Sequence, residues 1–110
     1  MSAVLVLTTI GAEDDARSLA RLLVENRLAA CVNILPAVTS IYRWEGKVTE
    51  DGEQLLVIKT AAERVDALRD ALLANHPYDV PELVVVAIES MSNEYGAWLM
   101  GSVGAAASPP

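Results

Sequence analysis

The run His76-Pro77-Tyr78-Asp79-Val80-Pro81-Glu82 places an imidazole, a phenol and two carboxylates in one short segment. Its two prolines fix φ and stiffen the backbone. Stiff loops that present such groups beside a strand are common binding sites. His76 is one of the few borderline metal ligands in the chain. The same residues also suit a rigid connector, with His76 at a helix end near the last carbonyls. In Tyr42-Arg43-Trp44 the two aromatics share one strand face and Arg43 takes the other. Tyr, Trp and Arg dominate interface hot spots, so this trio reads as an interface anchor. An anchor and a ligand cleft coincide if the cleft lies between subunits. Lys59 stands at a strand end, free to bind an anion or to pair with Glu53 or Glu82. Cys31, the single cysteine, is either a soft metal ligand or a small apolar strand residue.

Other chemistry finds no support. The chain has no G-x-S-x-G elbow, no P-loop and no G-x-G-x-x-G, so no enzyme class and no organic cofactor is indicated. Cys31 and His76 are too far apart for any metal-ligand spacing motif. One cysteine forms no internal disulfide. The net charge of −7 argues against nucleic-acid partners and against a polybasic membrane surface. The longest apolar run, residues 83–88, is far short of the ~20 residues of a membrane helix. No basic leader opens the sequence. The expectation is a cytoplasmic protein without membrane or nucleic-acid partners.

The 110 residues suit one domain, at ~100–200 residues per domain. Hydrophobic residues are 53% of the chain, which excludes general disorder. Phe is absent, so the core must be aliphatic. A β-branched run predicts a strand over 3–9, broken at Gly11. Ala16, Leu19, Ala20 and Leu23 recur with helical period, and Asn26 is a natural stop. A second strand spans 30–44 with an irregularity at Pro36. Gly46 and Gly52 flank a charged hairpin tip holding Lys47, Glu50 and Asp51, and a third strand follows over 54–59. Thr60 and Glu63 fit a capping box for a helix that Pro77 ends. A fourth strand covers 82–89 and a short helix 92–100. Residues 1–101 then form the domain and 102–110 a small-residue, disordered tail.

This order is β-α-β-β-α-β with an extra C-terminal helix, an α+β, ferredoxin-like arrangement. Right-handed crossovers put both main helices on one face of the sheet. The other face should alternate toward polar residues if it meets water. Instead both parities are apolar in Leu83-Val84-Val85-Val86-Ala87-Ile88, in Val4-Leu5-Val6-Leu7 and in Leu55-Leu56-Val57-Ile58. One short helix covers only part of that face, so an oligomer is expected.

The runs Ala29-Ala30-Cys31-Val32-Asn33-Ile34-Leu35-Pro36 and Ser40-Ile41-Tyr42-Arg43-Trp44-Glu45-Gly46 resemble the CutA divalent-cation-tolerance family. So do Leu55-Leu56-Val57-Ile58-Lys59-Thr60, the 76–82 segment, and the ending with Asn93, Tyr95 and Trp98. The resemblance spans about residues 4–100. It implies a ferredoxin-like fold in a PII-like homotrimer, with clefts between subunits. It also implies tolerance and binding of divalent metals, copper especially. Cys31 and His76 match the family's cysteine and histidine positions. The resulting candidate metal ligands are Cys31, His76, Asp79 and Glu82. The candidate cleft residues are Tyr42, Trp44, Lys59, Tyr78 and Trp98, which in a PII-type module would serve a small metabolite or a partner protein.

Overall fold

Strand β1, Ala3–Gly11, buries every second side chain, Val4, Val6, Thr8 and Ile10, as a half-buried strand must. The computed structural model describes residues 2–104. Helix α1, Ala16–Glu25, buries Ala16, Leu19, Ala20 and Leu23, the stripe expected from the sequence. Asp15 caps it, its carboxylate accepting from the Ser18 amide at 3.0 Å. After Asn26, Arg27 takes φ 57°. The Leu28 amide then bonds the Leu23 carbonyl at 2.9 Å, so the helix ends in a Schellman-type turn.

Strands β2, Cys31–Trp44, and β3, Lys47–Ala61, form one long hairpin. At ~3.3 Å per residue such strands span about 50 Å, which matches the 50 Å long axis of the molecule. The expected charged tip over 46–52 is corrected. Trp44 pairs with Lys47, so the turn is only Glu45-Gly46. Both turn residues have positive φ, 49° and 79°. That is the primed turn whose twist matches its flanking strands. Lys47, Glu50, Asp51 and Gly52 therefore lie within β3.

The expected capping box is also corrected. β3 runs through Thr60 to Ala61 and a 3₁₀ turn, Ala62–Arg64, leads into α2, Val65–Asn75. The Thr60 hydroxyl donates instead to the Leu28 carbonyl at 2.7 Å. It joins the β3 end to the loop after α1, a tertiary partner that local sequence does not reveal. Strand β4, Val84–Ala87, is shorter than expected. Helix α3, Asn93–Ser102, runs past residue 100, and Val103 is fully buried beyond it. The expected tail thus has its first residues packed on the domain, and residues 105–110 lie outside the described residues.

The sheet order is β2-β3-β1-β4, with every neighbouring pair antiparallel. Helices α1 and α2 pack on one face, where Leu19, Leu23, Leu68 and Leu72 meet Val4, Val6, Ile10, Leu56 and Ile58. On the opposite face α3 covers only one end, where Leu99, Met100 and Val103 meet Ala3 and Ala61. Leu5, Leu7, Leu55 and Val57 remain half-buried there, and Val84 and Val86 are 46% and 41% exposed.

The Thr8 hydroxyl is buried without a hydrogen-bond partner among the described residues. An orphaned buried hydroxyl costs roughly 1–3 kcal/mol. Thr8→Val, which keeps the shape and removes the polar atom, is expected to raise stability by about 1 kcal/mol. Urea denaturation checks this; a lower midpoint would show that Thr8 has a partner in solution.

Candidate functional site

A two-residue irregularity decides which way the aromatic residues of the hairpin face. Leu35 pairs with Leu55, but Val38 pairs with Glu53, so Pro36 and Ala37 oppose a single residue. Proline has no amide to give to a ladder, and a bulge is where a sheet tolerates it. The extra residue exchanges the two faces of β2. Before it, Val32 and Ile34 lie opposite Ile58 and Leu56, on the helix side. After it, Ser40 and Tyr42 lie opposite Asp51 and Thr49, on the other side. Tyr42 and Trp44 therefore join Glu53 and Asp51 on the face that the helices leave open.

The 76–82 loop closes on this face from the end of the sheet. His76 is buried. Its Nε2–H donates to the Thr9 carbonyl at 2.8 Å, and its Nδ1 accepts the Tyr78 amide at 3.1 Å. A carbonyl can only accept and an amide can only donate, so these contacts define a neutral Nε2–H tautomer. The His76 and Tyr78 rings meet edge to face at 4.9 Å. The Tyr78 hydroxyl then donates to Glu53 at 2.7 Å. The chain of contacts pins the loop to β1 through His76 and to β3 through Tyr78.

The result is an open cleft of about 790 Å³ between the hairpin and the loop. Tyr42, Trp44 and Tyr78 supply its aromatic walls, and Asp51, Glu53, Asp79 and Glu82 its charge. No Lys, Arg or His lines it among the described residues. Glu53 is 7% exposed. Tyr42 also donates to a carboxylate, that of Asp51. Both phenols are pushed above their ordinary range. For Tyr78 the first cause is burial and the second the bond to Glu53. For Tyr42 the bond to Asp51 leads.

Folded Tyr78 thus holds its proton at a pH where an unfolded tyrosine, ionising near ~10, releases it. Stability is therefore expected to be complete below pH ~10 and to fall as pH rises beyond it. Denaturation at pH 8 and at pH 10.5 checks this, and Tyr78→Phe is expected to flatten part of the fall. An equal slope in both proteins would overturn it.

The residues singled out from sequence do not all meet. Tyr42, Trp44, Tyr78, Asp79 and Glu82 share the cleft. Lys59 and Trp98 do not line it. Lys59 lies beside Leu5 near the other end of the open face, with its ammonium 5.8 Å from the Tyr95 ring centroid. Tyr95 in turn packs on Trp98 at 5.4 Å. Glu53 is bonded to Tyr78 and makes no ion pair with Lys59.

Cys31 pairs with Lys59 in the ladder and has Asn33 as its side-chain neighbour. His76 has both ring nitrogens engaged by backbone. Among the described residues of one subunit, no three His, Cys, Asp or Glu side chains are grouped to hold a metal. Cys31, His76, Asp79 and Glu82 therefore do not form one coordination sphere within the subunit, and the donor set does not fit a resident transition metal there. Sequence reasoning missed Asp51 and Glu53 as cleft residues. Their i, i+2 spacing in a strand was the available signal, hidden by the expectation of a loop at 46–52.

Residues 4–102 match the family described as CutA1 divalent ion tolerance protein. The chain is 50% identical over 99 residues to the divalent-cation tolerance protein CutA of Thermus thermophilus, covering 90% of this chain and 96% of that one. The solved structure of a Thermus thermophilus divalent cation tolerance protein superposes with a TM-score of 0.89 at 48% identity, covering 93% of this chain and 99% of that one. The apo structure of the PII-like protein CutA from Nostoc sp. PCC 7120 gives 0.83 at 33% identity, covering 91% and 96%.

Proposed function

We propose, from the premise that this chain belongs to the CutA1 divalent ion tolerance family, that it works as a non-enzymatic, cation-responsive homotrimer of ferredoxin-like, PII-like subunits. The observation that carries the cation reading is the cleft lining, with four carboxylates and no basic side chain among the described residues. Oxygen donors suit hydrated or carboxylate-held divalent cations, and the His76 imidazole has both nitrogens engaged by backbone. Asp79 and Glu82 are the groups we assign to a divalent cation held through its water shell at the cleft mouth. Cys31 and His76 are left out of that assignment, because His76 already serves the loop and Cys31 belongs to another part of the sheet. The trimer reading is supported by the half-covered apolar face, for which a second and third copy are the simplest cover. We place this trimer in the cytoplasm.

The test is a calorimetric titration of Cu²⁺ and Zn²⁺ into tag-free protein, with light scattering to count subunits. Binding with a simple ratio per subunit, weakened at least tenfold by Asp79→Asn with Glu82→Gln, supports the assignment. Binding that those two substitutions leave unchanged removes the site from the cleft.

A second reading has its own support. The cleft volume of about 790 Å³ suits a small molecule better than a bare ion. A PII-like signalling module that binds a small ligand or a partner protein at this cleft would use that space. A thermal-shift screen of small cationic and anionic metabolites separates it from the metal reading.

A further inference from the structure

We propose that the cleft between the hairpin and the 77–82 loop binds a small organic cation, an alkylated ammonium with an apolar body. This deepens the second reading above and rests on the cleft being the ligand site of the assembled protein. Size and charge each exclude part of the alternatives, and together they leave this class. The cleft holds about 790 Å³, inside the ~300–1,000 Å³ range of small-molecule sites. A cation with a single shell of water, at roughly 30 Å³ per water, fills only part of it.

The charge excludes the opposite class. Asp51, Glu53, Asp79 and Glu82 line the cleft and no basic residue does among the described residues. A nucleotide or organic acid would meet repulsion from every side. The one salt bridge among the described residues, Arg69 to Asp66, lies on α2, so within its own chain Glu53 has no cation beside it. Its charge is answered only by the neutral Tyr78 hydroxyl. A carboxylate buried to this degree is costly without a counter-charge, and a bound cation supplies one.

The walls decide between an inorganic and an organic cation. Tyr42, Trp44 and Tyr78 are all partly exposed. Aromatic faces attract ammonium groups, most strongly alkylated ones that shed water easily. Both phenols are tethered, Tyr42 to Asp51 and Tyr78 to Glu53, so their rings are held in place before a ligand arrives. Preformed walls reduce the ordering cost of binding. An alkylammonium can lie on the rings with its charge toward Glu53 and its apolar body filling the remaining space.

The experiment uses the full-length assembled chain carrying Trp98→Phe, which leaves Trp44 as the sole tryptophan reporter. Choline chloride is titrated at constant ionic strength, with 3,3-dimethyl-1-butanol as the uncharged molecule of nearly the same shape. A saturable change in Trp44 fluorescence, at least tenfold tighter for choline than for the alcohol, supports the proposal. Glu53→Gln and, separately, the exposed-site variant Tyr42→Leu should each weaken choline at least tenfold. Equal responses to choline and the alcohol would reduce the cleft to an apolar slot and overturn it. No saturable response in a folded trimer overturns it as well, including the case where a neighbouring subunit fills the cleft. Zn²⁺ is titrated into the same preparation by calorimetry. Zn²⁺ binding without a choline response overturns this inference and leaves the metal reading intact. A choline response without Zn²⁺ binding supports the inference and removes Zn²⁺ from the metal reading.

Discussion

Val84→Lys combined with Val86→Lys is expected to convert the proposed homotrimer into single subunits. The two valines sit on edge strand β4, opposite Leu7 and Leu5, on the face that α3 leaves half covered. In an isolated subunit they are 46% and 41% exposed, so lysines there can reach water with little strain. In an assembly that buries this face, each change removes roughly 1.5 kcal/mol of apolar burial. It also puts an unpaired ammonium into an apolar contact, which costs more than the lost burial. Every subunit carries both changes, so the effects recur at each interface. Light scattering should report a fall to one third of the mass, with circular dichroism unchanged. A variant that keeps the full mass would show that the subunits join through another surface, and the assignment of the open face would fall.

His76→Ala is expected to lower stability by about 3 kcal/mol, from two lost hydrogen bonds and two polar groups left without partners. The Thr9 carbonyl and the Tyr78 amide lose their ring partners, and the ring's contact with Tyr78 is gone. The loop bearing Tyr78, Asp79 and Glu82 is then released from β1, so the cleft should lose its shape with the fold otherwise intact. Hydrogen exchange would show this as faster exchange confined to residues 77–82. Metal stoichiometry provides the contrast. If His76 is a ligand, His76→Ala removes a metal equivalent at temperatures where the protein remains folded. If it is a positioning residue, as its two backbone bonds indicate, the stoichiometry persists while affinity weakens. His76→Gln should recover part of the stability, because an amide can offer one donor and one acceptor over a similar reach.

Several elements were legible because their causes are local. The stripe Ala16, Leu19, Ala20, Leu23 needs only the helical period, and it is the buried face of α1. Pro36 had to disturb β2 because it lacks an amide, and the register shifts there. Pro77 had to end α2 for the same reason, and α2 stops at Asn75. The two-sided apolar strands correctly implied a second apolar sheet face, which α3 covers only at one end. The family signature was legible from the order and spacing of its runs.

What sequence left undecided involves groups with more than one possible partner. Thr60 could cap a helix or reach the Leu28 carbonyl, and only the approach of the loop after α1 selects the second. His76 could ligate a metal or bond backbone. The nearness of Thr9 on a strand far away in the chain determines which. Asp51 and Glu53 read as hairpin-tip charges until the Glu45-Gly46 turn carries β3 back beneath Tyr42 and Trp44. Local periodicity and proline chemistry are set by neighbours in the chain, so the sequence alone determined the order of the elements, the breaks at Pro36 and Pro77 and the family. Partner choice depends on which distant atoms arrive within hydrogen-bonding reach. Tertiary structure alone therefore decided that His76 locks a loop, that Lys59 and Trp98 stand apart from the cleft, and that the cleft is acidic and aromatic.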